Sequence, residues 1–215
     1  MTIGSVIQRI QSLYSKGVQS DDSRLTPRHI YSKLMSARAM ILLQQVKKKN
    51  KINSWSYQIL SNIPTQVVNS SGTLKIGRSV SRIPKPITSE LGHSIEYILS
   101  MSEEYTYKYD ESNKKEMLHI LGNKYTGNNP RYTIEDGYIY LYSKNIPNQI
   151  EIKMLAEDPL EAYNFSHTGS IDPFSIEFPL EEALVDVVID IACKELIDSF
   201  KLQKEDTKQD SSDAL

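Results

Sequence analysis

Between Asp21 and Lys49 the chain (DDSRLTPRHIYSKLMSARAMILLQQVKKK) carries two apolar stripes at helical spacing, where a helix on the surface of a globular domain needs one. Ile30, Leu34, Ala37 and Ile41 line the first stripe. Tyr31, Met35, Ala39, Leu42 and Val46 line the second, roughly a quarter to a third of a turn away. The start of this helix is marked by Thr26 as N-cap and Pro27 at the first helical position, where a missing N–H costs nothing. Lys47, Lys48 and Lys49 close the end that favours cations. Such a helix has neighbours on two sides.

A second two-striped helix is expected near the C-terminus, from about Pro179, with Glu181 and Glu182 in its first turn. Leu180, Ala183, Leu184, Val187, Val188 and Ile191 form one stripe. Val185, Ile189, Ala192, Leu196 and Phe200 form the other. The first helix, over residues 2–16, has the single stripe Ile3, Val6, Ile7, Ile10, Leu13 and Tyr14, with Gly17 as a stop. Two arrangements satisfy the two-striped helices. In a three-helix bundle each helix has two neighbours. In a homo-oligomer one stripe packs inside the subunit and the other on the next copy, head to tail, in a contact that closes into a ring when the rotation allows.

The middle of the chain reads differently. Pro64, Gly72, Gly77, Pro84 and Pro86 exclude a long helix from Pro64 to Thr88, which reads as a connecting or projecting segment with short strands. Residues 94–156 read as a small antiparallel sheet. Tyr105, Tyr107 and Tyr109 alternate, as do Tyr138, Tyr140 and Tyr142. Asp136-Gly137 marks a hairpin. A short helical pattern spans Asn113–Leu121. Asp158-Pro159 opens a further helical turn, with Asp158 as its cap. The fold expected is therefore α+β: a helical bundle formed by N- and C-terminal helices with a β-rich antiparallel insertion. Residues 1–51 with 157–203 make the helical core, 52–156 an extended arm and the β-rich insertion, and 204–215 a mobile polar tail.

Composition excludes several functions. A formal charge of -2 and a pI near 6.1 give no electrostatic case for wrapping duplex DNA or coating an anionic membrane. No segment reaches the ~20 apolar residues of a membrane span, and the N-terminus lacks the apolar core of a signal peptide. The lone Cys193 forms no intrachain disulfide, fits assembly in a reducing cytoplasm, and reads as a small core hydrophobe. His29, His93, His119 and His167 are scattered without metal-ligand spacing. No catalytic, cofactor-binding or metal site is expected. The basic set Arg24, Arg28, Lys33, Arg38, Lys47–Lys49 and Lys51 reads as a solvated face, or as ion-pairing groups for a neighbouring component. Nine of the thirteen tyrosines fall between Tyr97 and Tyr142, so they are a regional feature. They suit half-buried cross-strand pairs, a protein–protein surface, or a base-stacking platform for single-stranded nucleic acid. Glu103, Glu104, Asp110 and Glu111 weigh against the last.

The run DDSRLTPRHIYSKL (Asp21–Leu34), the MSARAMILLQQVKKKNKINSWSYQ that follows, the later LAEDPLEAYNF and the apolar C-terminal helix together resemble virion proteins of crAss-like tailed bacteriophages. Within that group the chain is similar to head-to-tail connector proteins, also called adaptor or ring proteins. The resemblance implies a twelve-fold homo-oligomeric ring in the virion neck. Its partners would be the portal protein and other neck and tail proteins, and double-stranded DNA would pass through without sequence-specific binding. It implies a helical bundle with a β-containing insertion, no membrane contact, no cofactor, and no catalytic residue to carry over. Candidate interface residues are Tyr31, Met35, Leu42, Val46, Val185, Ile189, Leu196 and Phe200 on the helices, and Tyr105, Tyr107, Tyr138 and Tyr140 on the sheet. The alternative is a single-stranded nucleic-acid-binding or accessory module using the tyrosines.

Overall fold

The computed structural model describes residues 1–14, 25–71, 74–90, 92–101, 106–109, 130–167 and 172–209. In chain order the elements are helices α1 (Ile3–Tyr14) and α2 (Pro27–Lys47), strands β1 (Gln58–Ser71), β2 (Leu74–Ser79), β3 (Thr88–Ser89), β4 (Gly92–His93), β5 (Ile95–Ser100), β6 (Thr106–Tyr109), β7 (Arg131–Glu135), β8 (Tyr138–Ser143) and β9 (Gln149–Met154), and helices α3 (Pro159–Ser166) and α4 (Glu182–Gln209). They fall into two compact units, Met1–Ser56 with Ser170–Leu215, and Tyr57–Gly169. Gly17 and Asn113–Leu121 lie outside the described residues.

In the first unit, α2 starts where its sequence says it should. Thr26 is extended and its side-chain oxygen accepts from the His29 N–H at 3.2 Å, with Pro27 next. It ends in a Schellman arrangement: Lys49 is left-handed (φ 53), its N–H reaches the Val46 carbonyl at 3.0 Å, and the Asn50 N–H reaches Gln45 at 3.1 Å. Helices α1, α2 and α4 pack on one another. Ile3, Val6, Ile7 and Ile10 of α1, the first stripe of α2, and Val185, Val188, Ile189, Ala192 and Leu196 of α4 are buried. Arg9–Asp186 (2.7 Å) and Lys33–Glu195 (3.5 Å) link the helices at the surface, where such pairs contribute at most about 1 kcal/mol. Met1–Ile3 runs antiparallel to Ile176–Phe178, with the Ile3 N–H on the Ile176 carbonyl and the Phe178 N–H on that of Met1, both at 2.8 Å.

The second unit overturns the expected fold class. The chain is not a helical bundle carrying a small antiparallel insertion. It is built on a closed seven-stranded barrel of order β1-β2-β8-β7-β6-β5-β9, with four helices among the described residues. The sheet is also not wholly antiparallel, because β6 and β7 pair in parallel. The stretch read as a connecting segment supplies the closure. β1 pairs with β9 from Gln58 to Pro64 and with β2 from Thr65 to Ser71. Register shifts at Leu60/Ile63, where Asn62 is left-handed (φ 58), and at Val67/Asn69 bend it between the two partners. Pro64 stands where the partner changes, a position that needs no ladder N–H, so it does not break the strand. The Asp136-Gly137 hairpin forms as its sequence predicts, with both residues at positive φ (52 and 80), which is a type I′ turn.

The barrel is filled. Leu60, Ile63, Ile98, Tyr107, Tyr132, Ile139, Leu141, Ile150, Ile152 and Met154 form one buried cluster, joined by Ala162 and Phe165 of α3. Asp158 caps α3 through a 2.8 Å bond from the Leu160 N–H. Burial pushes the Tyr132 phenol far above its ordinary pKa of 10.0, with Tyr109 adding to the shift, and burial also raises Tyr142. A phenol that titrates later when folded leaves stability intact below pH ~10, and that stability is lost as the pH climbs past the unfolded value. Denaturant melts should therefore weaken from pH ~10 upward, with the buried tyrosines' share of the tyrosinate absorbance appearing only on unfolding. Tyr132→Phe should reduce the slope of that decline.

Candidate functional site: assembly surfaces

The two-striped pattern survives in the helices, but the roles of the stripes differ from the sequence expectation. Met35 and Leu42 of α2 are buried within the protomer, as are Val185, Ile189 and Leu196 of α4. Tyr31 and Val46 are half-buried. Phe200 lies in α4, with its side chain outside the described residues. The second stripe of α4 thus faces inward. The first is divided, with Leu180 and Val188 buried, Ala183 and Val187 exposed, and Leu184 and Ile191 half-buried. Helical periodicity locates both stripes but does not say which of their residues the rest of the chain covers.

Among the sheet residues, Tyr105 lies outside the described residues and Tyr107 points into the barrel core. Tyr138 and Tyr140 are half-buried. The Arg78 guanidinium lies 4.6 Å from the Tyr138 ring centre and that of Arg82 5.6 Å from it. Opposite β-strand neighbours hold a further aromatic group, with Lys153 placed 5.0 Å from the Tyr57 ring, 5.9 Å from that of Tyr97, and 2.7 Å from Glu96. The Tyr97 hydroxyl donates to Glu151 at 3.0 Å. Tyr107, Tyr132 and Tyr142 are buried, so their rings are not offered to bases as a stacking platform.

Arg38 departs most from the sequence reading. It sits on neither a solvated face nor an exposed ion-pairing face. It is fully buried, and its Nε and Nη2 donate to the backbone carbonyls of Pro179 (3.0 Å) and Ser56 (3.2 Å). Position 38 lies one turn from both Leu34 and Leu42, so an arginine in register with buried apolar residues was the signal available. Trp55 was also missed. It is 71% exposed on the 3-10 turn Ser54–Ser56.

Among the described residues no group of His, Cys, Asp and Glu is placed to hold a metal ion. His93 meets Thr88 (3.2 Å) and the edge of Tyr109, and His167 stacks on Tyr163 with ring centres 4.0 Å apart. The Cys193 thiol is half-buried and pushed up in pKa by that burial and then by Asp190, the opposite of an activated thiolate. No helix among the described residues is long and apolar enough to cross a membrane.

These surfaces are those of a packed protein with exposed apolar residues. Ring protein 2 of Bacteroides phage crAss001 is 29% identical in an alignment of 192 positions that covers 83% of this chain and 84% of that protein. The family model described as phage tail ring protein 2 matches residues 5–215. The resemblance to crAss-like phage ring proteins seen in the sequence therefore holds over most of the chain. With a match that takes in both compact units, the chain belongs to the phage tail ring protein 2 family.

Proposed function

We propose that this chain is a structural component of a phage virion that assembles as a homo-oligomeric ring at the head–tail junction, below the portal, and carries the DNA channel onward to the tail. The family match over residues 5–215 carries this reading. The filled barrel adds a geometric constraint: DNA cannot run through a subunit, so the channel would be the lumen enclosed by several copies. A net charge of -2 suits a conduit, since many lysine–phosphate contacts would hold the DNA in place. The role is mechanical and not catalytic: it seals the passage and offers docking surfaces to portal and tail components. Mass photometry of the purified chain, alone and with its portal protein, tests this. A closed ring of twelve copies, or a stoichiometric complex with the portal, is the expected result. A chain that stays monomeric and ignores the portal would overturn it.

A further inference from the structure

Charge is strongly segregated along this near-neutral chain. Between Asp22 and Glu90 there is no Asp or Glu, and between Lys153 and Lys194 there is no Lys or Arg. Each of these stretches places an exposed apolar feature on the helical unit. In the basic stretch it is Trp55. Its backbone is held from both sides: the Trp55 N–H donates to Asn53 Oδ1 at 3.2 Å, the Ser56 N–H to the Asn53 carbonyl at 3.0 Å, and the Ser56 carbonyl accepts from buried Arg38. Lys48, Lys49 and Lys51, just upstream, are exposed. In the acidic stretch the feature is the exposed side of the first α4 stripe. Ala183, Val187 and Ile191 follow one another at i, i+4 and i+8, and Val187 is 46% exposed. Glu181, Glu182 and Asp190 are exposed around it, while Asp186 pairs with Arg9.

We propose that the Trp55 turn of one copy docks on the α4 stripe of the next, with Lys48, Lys49 and Lys51 facing Glu181, Glu182 and Asp190. This rests on the ring reading above and names the contact that would build the ring. The partner is a second copy because the two features match each other in both respects: one is an exposed tryptophan that closely follows three exposed lysines in the chain, the other an apolar stripe with exposed Glu181, Glu182 and Asp190 beside it in the chain. Trp55 and Val187 are both left exposed by the described residues of their own protomer. Repeated in one direction, turn to stripe, the contact is heterologous, the kind that closes into rings. A tryptophan on a turn already fixed before docking loses little freedom on binding, which is the character of an interface anchor.

Charge exchange tests this. Variant one carries Lys48→Glu, Lys49→Glu and Lys51→Glu. Variant two carries Glu181→Lys, Glu182→Lys and Asp190→Lys. Each alone sets like charge against like and should run as monomer at concentrations where wild type is oligomeric. Mixed in equal amounts, each variant's turn meets the other's stripe with opposite charge, so rings containing both should return. Trp55→Ala should weaken assembly about tenfold or more with an unchanged melting temperature. As a check that does not depend on charge variants folding, Trp55→Cys mixed with Val187→Cys, both in a Cys193→Ser background, should give an intermolecular disulfide on oxidation. Wild-type rings that survive both reversals, or variants that fail to co-assemble while folded, overturn the interface and leave the ring reading standing. A wild type that forms no ring even with the portal overturns the ring reading itself.

Discussion

Arg38→Ala should destabilise the helical unit by about 3–5 kcal/mol, which for a chain of this size is a fall of roughly 6–20 °C in melting temperature. Two effects add. The Ser56 and Pro179 carbonyls lose a charged donor at 3.2 and 3.0 Å in an interior site, and an unsatisfied buried acceptor costs about 1–3 kcal/mol. The side chain is also wholly enclosed, so truncation leaves a cavity. Arg38→Lys should recover only part of the loss, because one ammonium group cannot reproduce a planar fork aimed at two carbonyls. Calorimetry gives the magnitude. Hydrogen–deuterium exchange locates it, with protection falling in α2, at the Ser54–Ser56 turn and at the start of α4. An Arg38→Ala protein melting within about 1 °C of wild type would show that the buried guanidinium contributes no net stability, since even one lost acceptor should cost more.

Gly77→Val should open the barrel by overfilling it. A Cβ at position 77 would lie 2.4 Å from Ile146 Cγ2 and 3.1 Å from its Cδ1. Gly77 is in β2, paired with Val67 on one side and Leu141 on the other, so its backbone cannot retreat without breaking two ladders. Ile146 is half-buried and packs against the barrel core, so turning it aside would give up that packing. Overpacking of this kind costs about 1–3 kcal/mol for a small addition and more for a branched one. The partner is identified by rescue: Ile146→Ala should cost stability alone but restore part of what Gly77→Val loses. Two losses that simply add would mean the clash is not between these side chains.

These two positions show where reading the sequence succeeds and where it stops. Gly77 is visible as a residue that stops helices, and so it marked a break. Its actual role, a gap filled by Ile146, depends on a residue 69 positions away. Arg38 is visible as a member of a basic set, but its partner Pro179 is 141 positions distant. Pro64 read as one of the residues that exclude a long helix, in a segment taken as a connector with short strands. The strand passes through it because its neighbour changes there. The surface candidates divide the same way. Periodicity found both stripes of α4, yet Val185, Ile189 and Leu196, offered as interface candidates, are buried within the protomer, while Ala183 and Val187 are exposed.

By itself the sequence determined the features whose physics is local. The Thr26 and Asp158 caps, the proline at each first helical position, the type I′ turn at Asp136-Gly137 and the spacing of the apolar stripes each involve residues a few positions apart. Family membership was legible too, because long runs around residues 20–60 preserve a recognisable text. Only the tertiary structure decided that the strands close into a barrel, that Arg38 is an internal tie, and which apolar residues of α4 face water. Each depends on contacts between segments far apart in the chain, and strand alternation or helix period is the same whichever neighbour arrives to cover a face.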